Sequence, residues 1–199
     1  MKIVAIVGSP RHGGNTDILV DHMIAGAKRA GASVTKYFLN DMHLRHCQGC
    51  DGCRPDVEQP CVIDDDMQAI HRDLRHCHAL ILGSPIYWFG LSAQFAIFLD
   101  RWYALGGSTS LTTLSPSKGG DGDHALKGIR AALALAYADA DPFVSGALNA
   151  YCTVRDSLNW LKGTLVGCVY ASAGDPGEVR SQPEILSQAE ALGEKLASP

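Results

Sequence analysis

Four of the chain's seven cysteines fall in one short stretch, CQGCDGCRPDVEQPC, at Cys47, Cys50, Cys53 and Cys61. Two successive x2 gaps let three thiolates converge on one face of a tight turn, and a distant fourth completes a four-thiolate shell of the iron-sulfur kind. Gly49 and Gly52 permit the positive-φ backbone that such wrapping needs, and Arg45 and Arg54 offset the charge of the ligand set. Zinc ranks below a [4Fe-4S] cluster, because its sites usually draw on two separated C-x2-C knuckles. Disulfides rank last: seven is an odd number, and closely spaced thiols in a reducing compartment point to metal or redox chemistry. A reduced, packed loop that holds no metal stays open beside the cluster. Cys77, Cys152 and Cys168 lie in or beside apolar stretches, where free cysteine behaves as a small buried hydrophobe, and they are assigned no chemistry.

A second candidate is GSPRHGGNT, Gly8 to Thr16, which closes an apolar run and leads into a helix. Open backbone N–H groups and the positive end of the helix dipole attract an anion there. Ser9, Asn15 and Thr16 add short donors, Arg11 adds charge, and Gly13 and Gly14 allow close approach. The Walker pattern fails because Gly14 stands where lysine is required, and G-x-G-x-x-G fails because Ser9 and Pro10 follow Gly8. A third candidate is SPIYWFG, Ser84 to Gly90, whose Tyr87, Trp88 and Phe89 are three consecutive aromatics at a strand exit. They suit either a flat aromatic ligand or a buried subunit contact. YADADPF, Tyr137 to Phe143, adds small Ala138 and polar Asp139 at another exit.

These segments need elements to hold them. KIVAIVG (Lys2 to Gly8), SVTKYFL (Ser33 to Leu39), HALILGSP (His78 to Pro85), IRAALALAY (Ile129 to Tyr137) and TLVGCVYAS (Thr164 to Ser172) read as five strands. Between them lie helical patterns: Ile18, Leu19, Met23, Ile24 and Ala27; DDDMQAIHRDLR; LSAQFAIFLDRWYAL; about Pro142 to Leu161; and finally PEILSQAEALGEKL. Strands alternating with helices predict an α/β doubly wound sandwich, with ligands beyond the carboxyl ends of a parallel sheet. A single phosphate and a planar ring system, as in FMN, would suit a crevice shared by the first and third strands. GGSTSLTTLSPSKGGDGDHALKG, 106–128, has turn composition and is expected to be a long surface loop.

Composition narrows the class. A chain of 199 residues, 46% of them hydrophobic, can bury one substantial core, so one domain over 1–199 is expected, with 47–61 and 106–128 as insertions. Seventeen basic and 21 acidic side chains give a formal charge of -4 with no Lys/Arg block, which argues against nucleic acid. The opening MKIVAIVGSP lacks the long apolar region of a secretory signal, and no apolar run is long enough to span a bilayer. A cytoplasmic protein with no membrane partner is the expectation.

GSPRHGGNT, the cysteine loop followed by VIDDDM, GSPIYWFGLSAQFAIFLDR and YASAGDPGEV together resemble the NADPH-dependent FMN reductase family of flavodoxin-like proteins. The cysteine-bearing branch is similar to the iron-sulfur flavoproteins. The resemblance implies a five-stranded parallel sheet in the order 2-1-3-4-5, FMN as cofactor and NADH or NADPH as co-substrate. It implies that Ser9, Arg11, Gly14, Asn15 and Thr16 hold the phosphate. Pro85, Ile86, Tyr87, Trp88, Phe89 and Gly90, with Ala138 and Asp139, would line the isoalloxazine. Electrons would pass to a quinone, azo, nitro or metal-ion acceptor, or, if Cys47, Cys50, Cys53 and Cys61 carry a cluster, be exchanged with a ferredoxin-like partner. No side chain need serve as nucleophile or base, and a homodimer or homotetramer is implied.

Overall fold

The computed structural model describes residues 1–53, 61–106 and 124–198. In chain order the elements are β1 (Lys2–Val7), α1 (Asn15–Arg29), β2 (Ser33–Phe38), α2 (Met67–His76), β3 (Ala79–Tyr87), β4 (Gly90–Leu91), α3 (Ala93–Asp100), β5 (Arg130–Tyr137), α4 (Ala147–Trp160), β6 (Thr164–Ser172) and α5 (Pro183–Ala197). Five parallel strands pair in the order β2-β1-β3-β5-β6, and two-residue β4 folds back antiparallel on the end of β3. Counting the parallel strands alone, this is the expected order 2-1-3-4-5.

The apolar runs form strands because both faces of the sheet are covered. Ile3, Ala5 and Val7 of β1 pack with Ala79 and Ile81 of β3 under α1 and α5. Val4, Ile6, Leu80, Leu82, Leu133 and Leu135 point the other way, against α2, α3 and α4. Alternate residues of one strand thus feed two cores, which is why these strands read as unbroken hydrophobic runs. Each Val, Leu or Ile so buried contributes about 1.5–3 kcal/mol. Helices α1 and α5 touch backbone to backbone: a Cβ on Gly26 would collide with the Glu190 carbonyl, and one on Gly193 with that of Met23. Among the described residues no helix is long and apolar enough to cross a membrane.

Three boundaries differ from the sequence expectation. The helix expected over LSAQFAIFLDRWYAL begins only at Ala93, capped by Ser92 accepting from the Phe95 N–H, and tightens to a 3-10 turn from Arg101 to Leu105. The helix expected from Pro142 starts at Ala147, because Pro142–Gly146 forms turns that end in a left-handed Gly146 at φ 85°. The β3–β4 hairpin was not foreseen. Its two-residue turn is Trp88-Phe89, both at positive φ, where glycine or asparagine is the usual signal. Most of the 106–128 loop lies outside the described residues; at its far end Ala125 to Gly128 make a turn.

Candidate functional site

β1 and β3 are adjacent and parallel, and β3 pairs on its other edge with β5, so the exits of all three strands open onto one crevice. Its walls are Ser9, Arg11, Gly14, Asn15 and Thr16 from the β1 exit and Pro85, Ile86 and Tyr87 from β3. Ala136, Tyr137 and Ala138 come from β5, and Ala173, Gly174 and Pro176 from the β6 exit. The space enclosed is about 190 Å³. A larger cavity of about 530 Å³ lies beside Trp102, Tyr103 and Trp160. It sits at the carboxyl ends of α3 and α4, hence at the amino edge of the sheet, away from the strand exits where α/β folds bind nucleotides.

The anion end is built from backbone. Helix α1 follows Gly14 with no capping side chain, so the N–H groups of Asn15 and Thr16, which have no intrahelical acceptor, remain for a ligand. Gly14 is buried, and a Cβ there would press to 3.1 Å on both the Cβ and the carbonyl oxygen of Arg11. Ser9 Oγ accepts from the Arg11 N–H at 3.1 Å, and Asp17 accepts from the Gly13 N–H at 2.8 Å while pairing with Lys36 at 2.6 Å. His12 bonds Asp41 at 3.0 Å and stacks on Phe38 with ring centroids 3.7 Å apart. The loop is therefore braced from three sides with the Arg11 side chain left exposed at the mouth. Such a cradle fits a phosphate monoester.

The wall at β3 is fixed by two buried serines. Ser92 Oγ donates to the Gly8 carbonyl at 2.7 Å, and Ser84 Oγ accepts from the Ser92 N–H at 3.1 Å and donates to the Pro85 carbonyl at 2.8 Å. These bonds tie the exits of β1 and β3 to the start of α3.

Not every expected residue joins this crevice. The Asn15 side chain is committed elsewhere: its Nδ2 donates to the carbonyls of Ala173 (3.0 Å) and Asp175 (2.9 Å), and its Oδ1 accepts from the Val179 N–H. What Asn15 offers a ligand is its backbone N–H. The aromatic triplet divides, with Tyr87 on the crevice wall and Trp88, 94% exposed, and Phe89, 58% exposed, turned out at the hairpin tip. Gly90 pairs with Tyr87 in the hairpin rather than facing the crevice, and Asp139 is exposed, its carbonyl accepting from Ser172 Oγ. Of the residues that were missed, Ala136 and Tyr137 end β5, and Ala173, Gly174 and Pro176 belong to the AGDPG segment after the last strand. The signal was there, a Gly/Pro turn at a strand's carboxyl end.

The cysteine loop meets the body of the protein at a buried ion pair. Arg101 and Asp65 pair bidentately at 2.7 and 3.1 Å, with side chains 1% and 0% exposed, and Arg101 Nη1 also donates to the Arg45 carbonyl at 2.8 Å. Burial would raise the Asp65 carboxyl, but Arg101 and the N–H groups of Arg45 and Met67 outweigh it and hold the group below the usual carboxylate range. Cys61 is buried, Cys47 and Cys53 are half-buried and Cys50 is exposed, all as free thiols. Burial, and then the neighbouring Cys61, Cys47 and Cys50, push the Cys53 thiol up, so each of these three lies within electrostatic reach of Cys53. Among the described residues, however, no three Cys, His, Asp or Glu side chains are gathered as a metal-ligand set. Residues 54–60, between Cys53 and Cys61, lie outside the described residues, and no step is derived through a cluster. Burial pushes Cys77 and Cys168 up to about 12, which agrees with thiols that carry no chemistry.

A doubly wound sheet with an anion cradle at the first strand exit and an apolar wall at the third defines a flavodoxin-like nucleotide-binding protein. Residues 1–177 match the family model for NADPH-dependent FMN reductase, and the chain belongs to that family. It is 30% identical over 193 residues, 96% of each chain, to Bacillus subtilis YwqN, described as an NAD(P)H-dependent FMN-containing oxidoreductase. It is 38% identical over 101 residues to an iron-sulfur flavoprotein of Methanocaldococcus jannaschii, a match covering 51% of each chain. Its fold is also that of an NAD(P)H:quinone oxidoreductase from Methanothermobacter marburgensis, at 15% identity and a TM-score of 0.70, covering 100% of this chain and 96% of that one.

Proposed function

We propose that the protein is an FMN-dependent NAD(P)H oxidoreductase acting on a small electron acceptor. The observation that carries this is the joining of an uncapped helix start with a fixed apolar wall in one crevice. The N–H groups of Asn15 and Thr16, with Ser9, Thr16 and Arg11, hold the phosphate. Gly14 keeps that floor free of side-chain bulk. Pro85, Ile86, Tyr87 and Ala138 bind the ring system and exclude water from it, while Ala173, Gly174 and Pro176 close the far side. FMN, bound there, supplies the redox chemistry between nicotinamide and acceptor. The chain itself supplies no acid, base or nucleophile.

The test is anaerobic titration of the protein with FMN and with riboflavin, followed by NADPH. FMN is expected to bind at least tenfold more tightly than riboflavin, and NADPH to bleach the bound flavin. Arg11→Ala removes a charge-assisted contact worth about 1.5–3 kcal/mol, so FMN affinity falls roughly 10- to 100-fold while riboflavin affinity holds. Equal affinity for the two flavins, or none for either, would sink the proposal.

A second reading is an electron carrier with a [4Fe-4S] cluster on Cys47, Cys50, Cys53 and Cys61. The spacing supports it, as does the fastening of the loop's two flanks, Arg45 and Asp65, to a single buried guanidinium. It requires the four sulfurs to gather as one ligand set. After anaerobic reconstitution with iron and sulfide, a broad absorbance bleached by dithionite but not by NADPH would favour it over the first reading.

A further inference from the structure

The cavity at the carboxyl ends of α3 and α4 takes no part in the crevice, and its walls have a chemistry of their own. Its volume of about 530 Å³ falls within the roughly 300–1,000 Å³ of small-molecule sites. Three aromatic side chains line it: Trp102 and Tyr103 from the 3-10 turn after α3, and Trp160 from the last turn of α4. Two carboxylates, Asp100 and Asp156, stand among them, and none of the lining residues is basic. Asp156 and Trp160 are four residues apart on α4, so a carboxylate and a ring share one helix face.

Each ring is fixed from behind. Trp102, 3% exposed, meets Phe98 edge to face with ring centroids 5.5 Å apart. The Tyr103 hydroxyl donates to Asp51 at 3.2 Å. His124 packs on Trp160 at 5.3 Å, and a Cβ on Gly106 would stand 2.5 Å from two carbons of the Trp160 ring. The aromatic walls therefore exist before any ligand arrives, which spares the cost of ordering side chains on binding. The charges are not equally free. Asp156 pairs with Arg155 at 2.9 Å, whereas Asp100, exposed, has no hydrogen-bond or ion-pair partner among the described residues. Asp100 is also the last residue of α3, where the negative end of the helix dipole disfavours a carboxylate. Its charge and the carboxyl ends of both helices make the cavity electronegative.

We propose that this cavity binds a small organic cation, a quaternary ammonium or protonated amine on an apolar body, held among Trp102, Tyr103 and Trp160 with its charge beside Asp100. Aromatic faces attract a cation through their quadrupoles, and the carboxylates add to that attraction. A neutral apolar molecule would fill the same space without using the charge, and an anion would be repelled. The cavity lies at the opposite edge of the sheet from the crevice, so its ligand does not compete with one bound there. The proposal does not depend on which cofactor the crevice holds.

Isothermal titration calorimetry, with NMR of the indole N–H signals of the chain's three tryptophans, tests it. The probe is phenyltrimethylammonium, compared with its uncharged isostere, tert-butylbenzene. The ammonium is expected to bind saturably and roughly tenfold more tightly than the isostere. It should shift the signals of Trp102 and Trp160 and leave that of Trp88, at the hairpin tip, in place. Asp100→Asn should weaken the ammonium about fivefold without changing the isostere, whereas Glu184→Gln, at an exposed acid of α5, should change neither. Both positions are exposed, and near-UV circular dichroism checks that each variant keeps its fold. Saturating FMN should leave the affinity for the ammonium unchanged. Absence of saturable binding, equal affinity for charged and uncharged probes, an Asp100→Asn variant that binds the ammonium as the wild type does, or displacement of the ammonium by FMN overturns the proposal.

Discussion

The side-chain amide of Asn15 donates to the main-chain carbonyl of Ala173 at 3.0 Å, across 158 positions of sequence. The first residue of α1 thereby holds the turn after the last strand, and the anion cradle and the far wall of the crevice become one assembly. Asn15→Ala removes this bond, the bond to Asp175 and the one accepted from Val179. At about 1 kcal/mol per hydrogen bond, the expected loss is about 2–3 kcal/mol in urea unfolding, with FMN affinity falling at least tenfold. Unchanged FMN affinity would show that the 173–179 turn is positioned without Asn15.

Removing one partner of the Arg101–Asp65 pair leaves a buried, uncompensated charge. Arg101→Met is expected to cost about 3–5 kcal/mol, read from urea midpoints by far-UV circular dichroism. The double variant Arg101→Met/Asp65→Asn should recover part of that loss, because no charge then remains buried. Since Arg101 also holds the Arg45 carbonyl, limited proteolysis of the single variant should cut first in the segment between Arg45 and Asp65. Single and double variants of equal stability would mean that the pair is not coupled.

His71 is fully buried, and one ring nitrogen faces the Arg101 carbonyl at 3.1 Å. Burial lowers its pKa to about 4. Between that value and the ordinary 6.5 the unfolded chain binds a proton that the folded chain does not, so stability rises with pH over this window. Acidification from about pH 6.5 to 4 should remove roughly 3 kcal/mol through this residue. His71→Gln, which does not titrate, should lose less over the same range when urea midpoints are compared pH by pH. Parallel curves for the two proteins would show that His71 takes up its proton in the folded state.

Much of the molecule is legible in the linear chain. KIVAIVG (Lys2 to Gly8) and HALILGSP (His78 to Pro85) read as strands because a parallel sheet covered on both faces favours near-continuous apolar runs. Glycine at position 14 and the missing cap of α1 are local properties, so the open helix start could be read from nine residues. The four-cysteine spacing was equally plain, but spacing does not report whether the sulfurs close on a metal. Trp88-Phe89 carried no turn signal at all, since what holds those residues left-handed is Gly146 and Asn149, some sixty positions away.

Periodicity and turn chemistry are short-range, and they determined the strand sequence, the parallel sheet, the Gly-rich loop before α1 and the cysteine spacing. Side-chain commitments across the fold are long-range, and only tertiary packing decided them: Asn15 turned to the Ala173 and Asp175 carbonyls, Arg101 buried against Asp65, and the aromatic triplet divided between crevice and surface. The physical reason is that a side chain's type lists the bonds it can make, while the partners that come within about 3 Å of it are brought there by the rest of the chain.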